Sequence, residues 1–199
     1  MTEVTFQPVM EGGDLWSQIF ERNPQGVHPL QAKHIMAQLV STLGKFGFMA
    51  VSNNCLQVYG LNEMHKVGLL HRDIKPDNVL LDTEGRVYFA DFGLSHVFTK
   101  TPPEQYSLAP EYREADVTHK MCGTLGYMAP EVILGQEYSY SADTFSLGAL
   151  MKELVEGYSP FSGVDENEKI YRTLYENPAM PISPDFDVVP FHLASMVCV

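Results

Sequence analysis

The chain has 199 residues, is 45% apolar and carries a formal charge of −12 at pH 7. That length and apolar share can bury one good-sized core, so a single domain is expected, and the acidity argues against a nucleic-acid or anionic-membrane surface. No apolar run is long enough to span a bilayer and no basic-then-apolar leader opens the chain. The three cysteines, Cys55, Cys122 and Cys198, form no pattern and suit a reducing intracellular setting, cytoplasm or nucleus, better than a disulfide framework.

In chain order, residues 1–10 read as a short strand broken by Pro8. Gly12 and Gly13 then turn the chain, and Asp14 caps a small amphipathic helix over 14–20. Apolar residues at helical spacing fill 30–39; Gly44, Gly47 and the Asn53-Asn54 pair interrupt that period, which resumes over 58–65. A polar loop follows, H-R-D-I-K-P-D-N at 71–78, closed by Val79-Leu80-Leu81. A turn at 83–85 and an apolar run over 86–90 complete two short strands, and Asp91-Phe92-Gly93 comes next.

The polar loop has a definite chemistry. Asp73 can accept a hydroxyl proton, and Lys75 can neutralise a phosphoryl group. Asn78 and Asp91 are hard-oxygen ligands of the kind Mg²⁺ takes when phosphates complete its shell. Further on, residues 100–120 are polar, hold Thr101-Pro102-Pro103 and read as a mobile loop. Residues 140–157 are apolar on most faces and predict a buried central helix. An acidic loop with Asp165, Glu166 and Glu168 precedes a surface helix over 169–176, and prolines at 178, 181, 184 and 190 mark extended chain.

Two motifs together are specific where either alone is weak. Residues 71–78 resemble the H-R-D-x-K-x-x-N catalytic loop of protein kinases, and residues 91–93 their D-F-G metal motif, at the family's spacing and on the hairpin that carries them there. Residues 123–131, G-T-L-G-Y-M-A-P-E, resemble the G-T-x-x-Y-x-A-P-E of the serine/threonine branch, whereas nothing similar precedes the earlier Ala109-Pro110-Glu111. The resemblance implies an α+β, protein-kinase-like fold: a mainly helical C-terminal lobe with a small β-hairpin. The N-terminal β-rich lobe is expected to be missing, because no G-x-G-x-x-G loop or V-A-I-K-type lysine occurs in the 199 residues.

It also implies ATP and Mg²⁺ as cofactors and a protein serine or threonine hydroxyl as acceptor. Asp73 would orient or deprotonate that hydroxyl, Lys75 would stabilise the γ-phosphate, and Asn78 and Asp91 would bind Mg²⁺. Thr124 would hydrogen-bond Asp73 and Lys75. In the hinge region, residues 1–13, the backbone near Met10 would meet adenine. Asp14 would reach the ribose hydroxyls or serve as a helix cap, and Leu80 would floor the adenine. Glu153 with Asp14 would grip an arginine upstream of the target, giving a substrate with upstream basic residues. Asp143 would accept N–H bonds from the catalytic loop, or merely cap its helix.

Within the activation segment, residues 91–131, Arg72 would pair with a phosphate, although Lys120 stands where related kinases often carry a phosphorylated threonine. Glu131 would lack the arginine that a later helix supplies in the family, a loss of about 3–5 kcal/mol if buried. Without the lobe that covers the phosphates, the isolated chain is expected to turn over little or not at all. A catalytically inactive binding or scaffolding module is the second reading.

One stretch departs from the family pattern. Gln38 lies 27 residues before His65, where the resemblance implies nine, so residues 40–57 are an excess of 18. Their removal joins Leu39 to Val58 and restores an unbroken apolar stripe. Val40-Ser41 can be encoded GTAAGT and Gln57 CAG, the consensus ends of an intron, and 54 nucleotides keep the frame. Residues 40–57 are therefore expected to be an insertion of translated intron; a genuine loop bulging from the helix is the alternative.

Overall fold

A computed structural model describes residues 11–23, 25–40, 49–52, 55–57, 60–98 and 116–176. The architecture follows from one helix that has almost no polar face. This helix, α5 (Ser141–Glu156), buries Ala142, Asp143 and every residue from Phe145 to Leu154. It ends at Gly157, whose left-handed φ of 78° suits a residue without Cβ. Apolar on most faces, it must be covered on both sides. Leu147, Leu150, Met151 and Leu154 face one core cluster, and Ala142, Phe145 and Ala149 face the other.

The first cluster is closed by three shorter helices and a hairpin. Asp14 caps α1 (Leu15–Ser17), which runs on as a π turn over Gln18–Arg22. Helix α2 (Pro29–Val40) buries Ala32, Met36 and Leu39. An antiparallel pair, β1 (Met49–Ser52) and β2 (Cys55–Gln57), follows it, and then α3 (Leu61–Lys66) buries Leu61 and Met64. β3 (Leu69–Leu70) precedes the polar loop. The predicted hairpin is β4 (Val79–Leu81) paired with β5 (Val87–Phe89), in the register Val79↔Phe89, Leu80↔Tyr88, Leu81↔Val87.

Beyond the hairpin, β6 (His96–Val97) returns to pair antiparallel with β3. The second cluster holds Leu70, Met128, Val132 and Phe161 against α5, beneath α4 (Pro130–Ile133). Helix α6 (Glu166–Tyr175) starts earlier than the 169–176 expected, because Asp165 caps it by accepting from Glu168 N–H.

Some expectations change. The helix over 14–20 is a three-residue α turn continued as a π turn, and the β3–β6 pairing had no signal in two-residue strands. The end of the predicted mobile loop is pinned: Thr118 and Tyr138 exchange both backbone hydrogen bonds. Glu131 is partly exposed and accepts a long contact from Ser141 Oγ, 3.5 Å, so its charge is not stranded in a dry core. Met10 and the expected strand lie outside the described residues, as do residues 100–115 and 177–199. Among the described residues no helix is long and apolar enough to cross a membrane.

Candidate active site

The polar loop is held from below by one carboxylate. Asp143, fully buried in the first turn of α5, accepts from His71 N–H and Arg72 N–H, each at 2.8 Å, and pairs with His65 Nε2 at 2.9 Å. It is an anchor, not a cap: no side chain caps α5 at Tyr140. A buried carboxylate needs such donors to offset its lost hydration. His71 is itself buried, with Nε2 3.0 Å from Ala90 O and Nδ1 accepting from Asp73 N–H at 3.3 Å. Burial pushes its pKa down, against the pull of Asp143, Asp73 and Asp91 nearby.

On this base the predicted side chains converge. Asp73, 8% exposed, accepts from Thr124 Oγ1 at 2.6 Å and from Asn78 Nδ2 at 3.0 Å, and it lies 3.1 Å from Lys75 Nζ. Lys75 Nζ also donates to Thr124 Oγ1 at 2.9 Å. Thr124 reaches this group because Gly123, at φ 117°, lets the chain pass against Arg72; a Cβ there would sit 2.6 Å from Arg72 O.

Asn78 spends its amide nitrogen on Asp73 O and Oδ2, which leaves its amide oxygen to accept. Asp91 follows β5 in a left-handed conformation, φ 57°, with Oδ1 taking Gly93 N–H at 3.2 Å and the carboxylate exposed. Asn78 and the end of β5 are tied by Ala90 N–H to Asn78 O, 2.9 Å. Among the described residues no three His, Cys, Asp or Glu side chains form a metal cage. One amide oxygen and one carboxylate instead fit Mg²⁺, which keeps waters and takes phosphate oxygens.

The residues expected on the nucleotide side, Asp14 and Leu80, are placed less directly. Asp14 accepts from Ser17 N–H at 2.7 Å and from Ser17 Oγ, so the cap is present. Its backbone bridges Leu80, and Leu81 N–H donates to Gly13 O at 2.8 Å. Leu80 is half-buried between Val79, a core residue, and Leu81, which packs partly buried against the same core, so strand alternation places Leu80 on the other face of the hairpin.

Arg72 donates to Leu94 O at 2.6 Å and Ser95 O at 3.2 Å, and its φ is +69°. The far side of the loop holds a contact with no sequence signal beyond the tyrosine of the G-T-x-x-Y pattern. Tyr127 OH donates to Glu153, which is 2% exposed, and burial raises both pKa values. Asp77 is the acidic neighbour that raises Glu153 further.

A protein kinase domain family matches residues 5–190. The chain belongs to the protein kinase family. This kinase domain is 42% identical over 125 residues to a putative protein kinase C delta type homolog of Drosophila melanogaster, covering 63% of the chain and 17% of that protein. It is 40% identical over 122 residues to ribosomal protein S6 kinase alpha-1 of Homo sapiens, covering 61% and 15%. Over 173 residues it is 33% identical to G protein-coupled receptor kinase 2 of Drosophila melanogaster, covering 85% of the chain and 20% of that protein. The matched part is therefore a fifth or less of each relative's length. The small antiparallel sheets and predominance of helix agree with a partial kinase fold.

Proposed function

We propose that this kinase domain transfers the γ-phosphate of ATP to a serine or threonine hydroxyl of a protein. The observation that carries the reading is the triangle of Asp73, Lys75 and Thr124 backed by Asn78. Bound ATP with Mg²⁺ would supply the phosphoryl group and neutralise its oxygens. Asp73 Oδ2 accepts the hydroxyl proton, and Lys75 Nζ, 3.1 Å away, balances the charge. Thr124 fixes the carboxylate plane, leaving room for a small hydroxyl side chain. Asn78 and Asp91 hold Mg²⁺, Asp14 and the backbone near Met10 contact the nucleoside, and Leu80 floors it.

The substrate proposed is a protein with an arginine upstream of the target. Glu153, buried and bonded to Tyr127, and exposed Asp77 beside it form an acidic pair that a guanidinium would satisfy with two parallel hydrogen bonds.

The test is radiolabel transfer from Mg-ATP to a serine peptide carrying an upstream arginine. A sensitive assay is needed, because the 199 residues hold no glycine-rich phosphate loop and a low absolute rate is expected. Asp73→Asn should lower transfer by about 10²–10⁴, and Asp91→Ala, which removes a proposed Mg²⁺ ligand, should abolish transfer at ordinary Mg²⁺ concentrations. Glu153→Gln should erase the preference over an alanine-substituted peptide. Transfer that survives both aspartate changes overturns the reading; a folded chain with no transfer supports the binding module.

A further inference from the structure

The hairpin that carries both proposed metal ligands is short, and something outside it must set its register. β4 and β5 pair over three residues each, and a two-stranded hairpin of that size is marginal by itself. A slip of one residue would move a ligand by about 3.3 Å and turn it to the opposite face. Asn78 stands just before β4 and Asp91 two residues after β5, so the geometry of the pair is the register of the strands.

Both outer edges of the hairpin are tied down. On the β4 side, Leu81 N–H donates to Gly13 O. On the β5 side, no strand is paired among the described residues, and a side chain takes the place of one. Gln38, in the last turn of α2, accepts from Val87 N–H at 3.2 Å and donates from Nε2 to Gly85 O at 3.1 Å. One carboxamide thus satisfies a donor and an acceptor of the same edge, as a neighbouring peptide group would. The turn it grips is already wound tightly around Asp82, which accepts from Glu84 N–H and Arg86 N–H at 2.9 Å each.

We infer that Gln38 is a positioning residue for the metal-binding pair: by clamping the turn end of the hairpin to α2, it sets the spacing of Asn78 and Asp91 at the other end. The inference rests on the reading of that pair as a Mg²⁺ site. Gln38 touches neither nucleotide nor metal.

The experiment uses the whole chain with Mn²⁺ as the probe, its binding followed by electron paramagnetic resonance in the presence of ATP. Wild type, Gln38→Met, Gln38→Glu, Asp91→Ala and a control on an exposed position of α2, Gln31→Met, are compared well below their melting temperatures. Gln38→Met should speed hydrogen exchange at Val87 N–H and weaken Mn²⁺ about tenfold, the low end of what outer partners of a metal site cost. Gln38→Glu, which keeps the acceptor for Val87, should fall between wild type and Gln38→Met, and Gln31→Met should bind as wild type does. Faster exchange at Val87 with unchanged Mn²⁺ affinity overturns the inference and leaves Gln38 a structural tie. Wild-type chain without Mn²⁺ binding that depends on Asp91 overturns the metal reading as well.

Discussion

At the scale of single residues, the loop is held rigid because its buried carboxylate anchor and its histidine are committed to partners within the chain. Asp143 holds two backbone N–H groups and His65, so the loop's backbone cannot relax without stranding a buried charge. His71 has its own commitment: Nδ1 accepts from Asp73 N–H while Nε2–H donates to Ala90 O, an arrangement open only to the neutral ring. A proton on Nδ1 would meet another N–H. Burial accordingly holds its pKa below the ordinary 6.5.

Below that value the unfolded chain binds a proton that the folded chain refuses, so stability is full above pH 6.5 and falls as pH drops beneath it. The slope is at most about 1.4 kcal/mol per pH unit for one histidine. His96, its pKa lowered by burial and by Arg72, adds a slope of the same sign. Melting curves from pH 7.5 to 5 should show the decline, and His71→Phe should flatten it. An equal decline in that variant would assign the effect elsewhere.

At the scale of elements, α2 and α3 invite a reading as one helix. Ala32, Met36 and Leu39 of α2 and Leu61 and Met64 of α3 lie in a single core cluster. With residues 40–57 taken out, those five fall at successive steps of four, three, four and three, the stripe of an uninterrupted amphipathic helix. We propose that residues 40–57 are an insertion of translated intron, a reading supported by this spacing, by the intron-consensus codons that Val40-Ser41 and Gln57 permit, and by the break at Gly60, whose φ is 75°. A chain lacking residues 40–57 should melt higher by about 2–4 °C for each kcal/mol regained, and transcripts should join Leu39 to Val58. A lower melting temperature, with every transcript retaining the 54 nucleotides, would sink it.

The activation segment makes a related point. Tyr138 OH donates to Lys120 O at 2.5 Å and Tyr140 OH to Asp116 at 3.2 Å, so the returning leg is fastened by tyrosine hydroxyls.

At the scale of the whole molecule, charge is the dominant long-range property. A net −12 surrounds an acidic pair at the proposed substrate side, so a basic peptide is drawn toward the cleft and a neutral one is not. Screening shortens that reach from about 10 Å at 0.1 M salt toward 3 Å at 1 M. The KM for an arginine-containing peptide should therefore rise several-fold between 0.05 and 0.5 M salt, with that for an alanine-substituted peptide nearly flat. Parallel curves for the two peptides would remove steering from the account.

Much of the site was legible because its chemistry is local in the chain. Asp73, Lys75 and Asn78 fall within six residues, and Asp91 follows after one hairpin whose turn and alternating strands are written in residue types. The buried character of α5 was equally plain from its lack of a polar face. Thr124 on Asp73 and Asp143 under His71 were expected only through the family resemblance, and what the tertiary structure alone decided are the pairings of Gln38 on Val87 and Tyr127 on Glu153. Residue type tells what a group needs, a donor, an acceptor or cover from water. Which partner meets that need depends on where helices and strands stop and cross, and packing around α5 settles that.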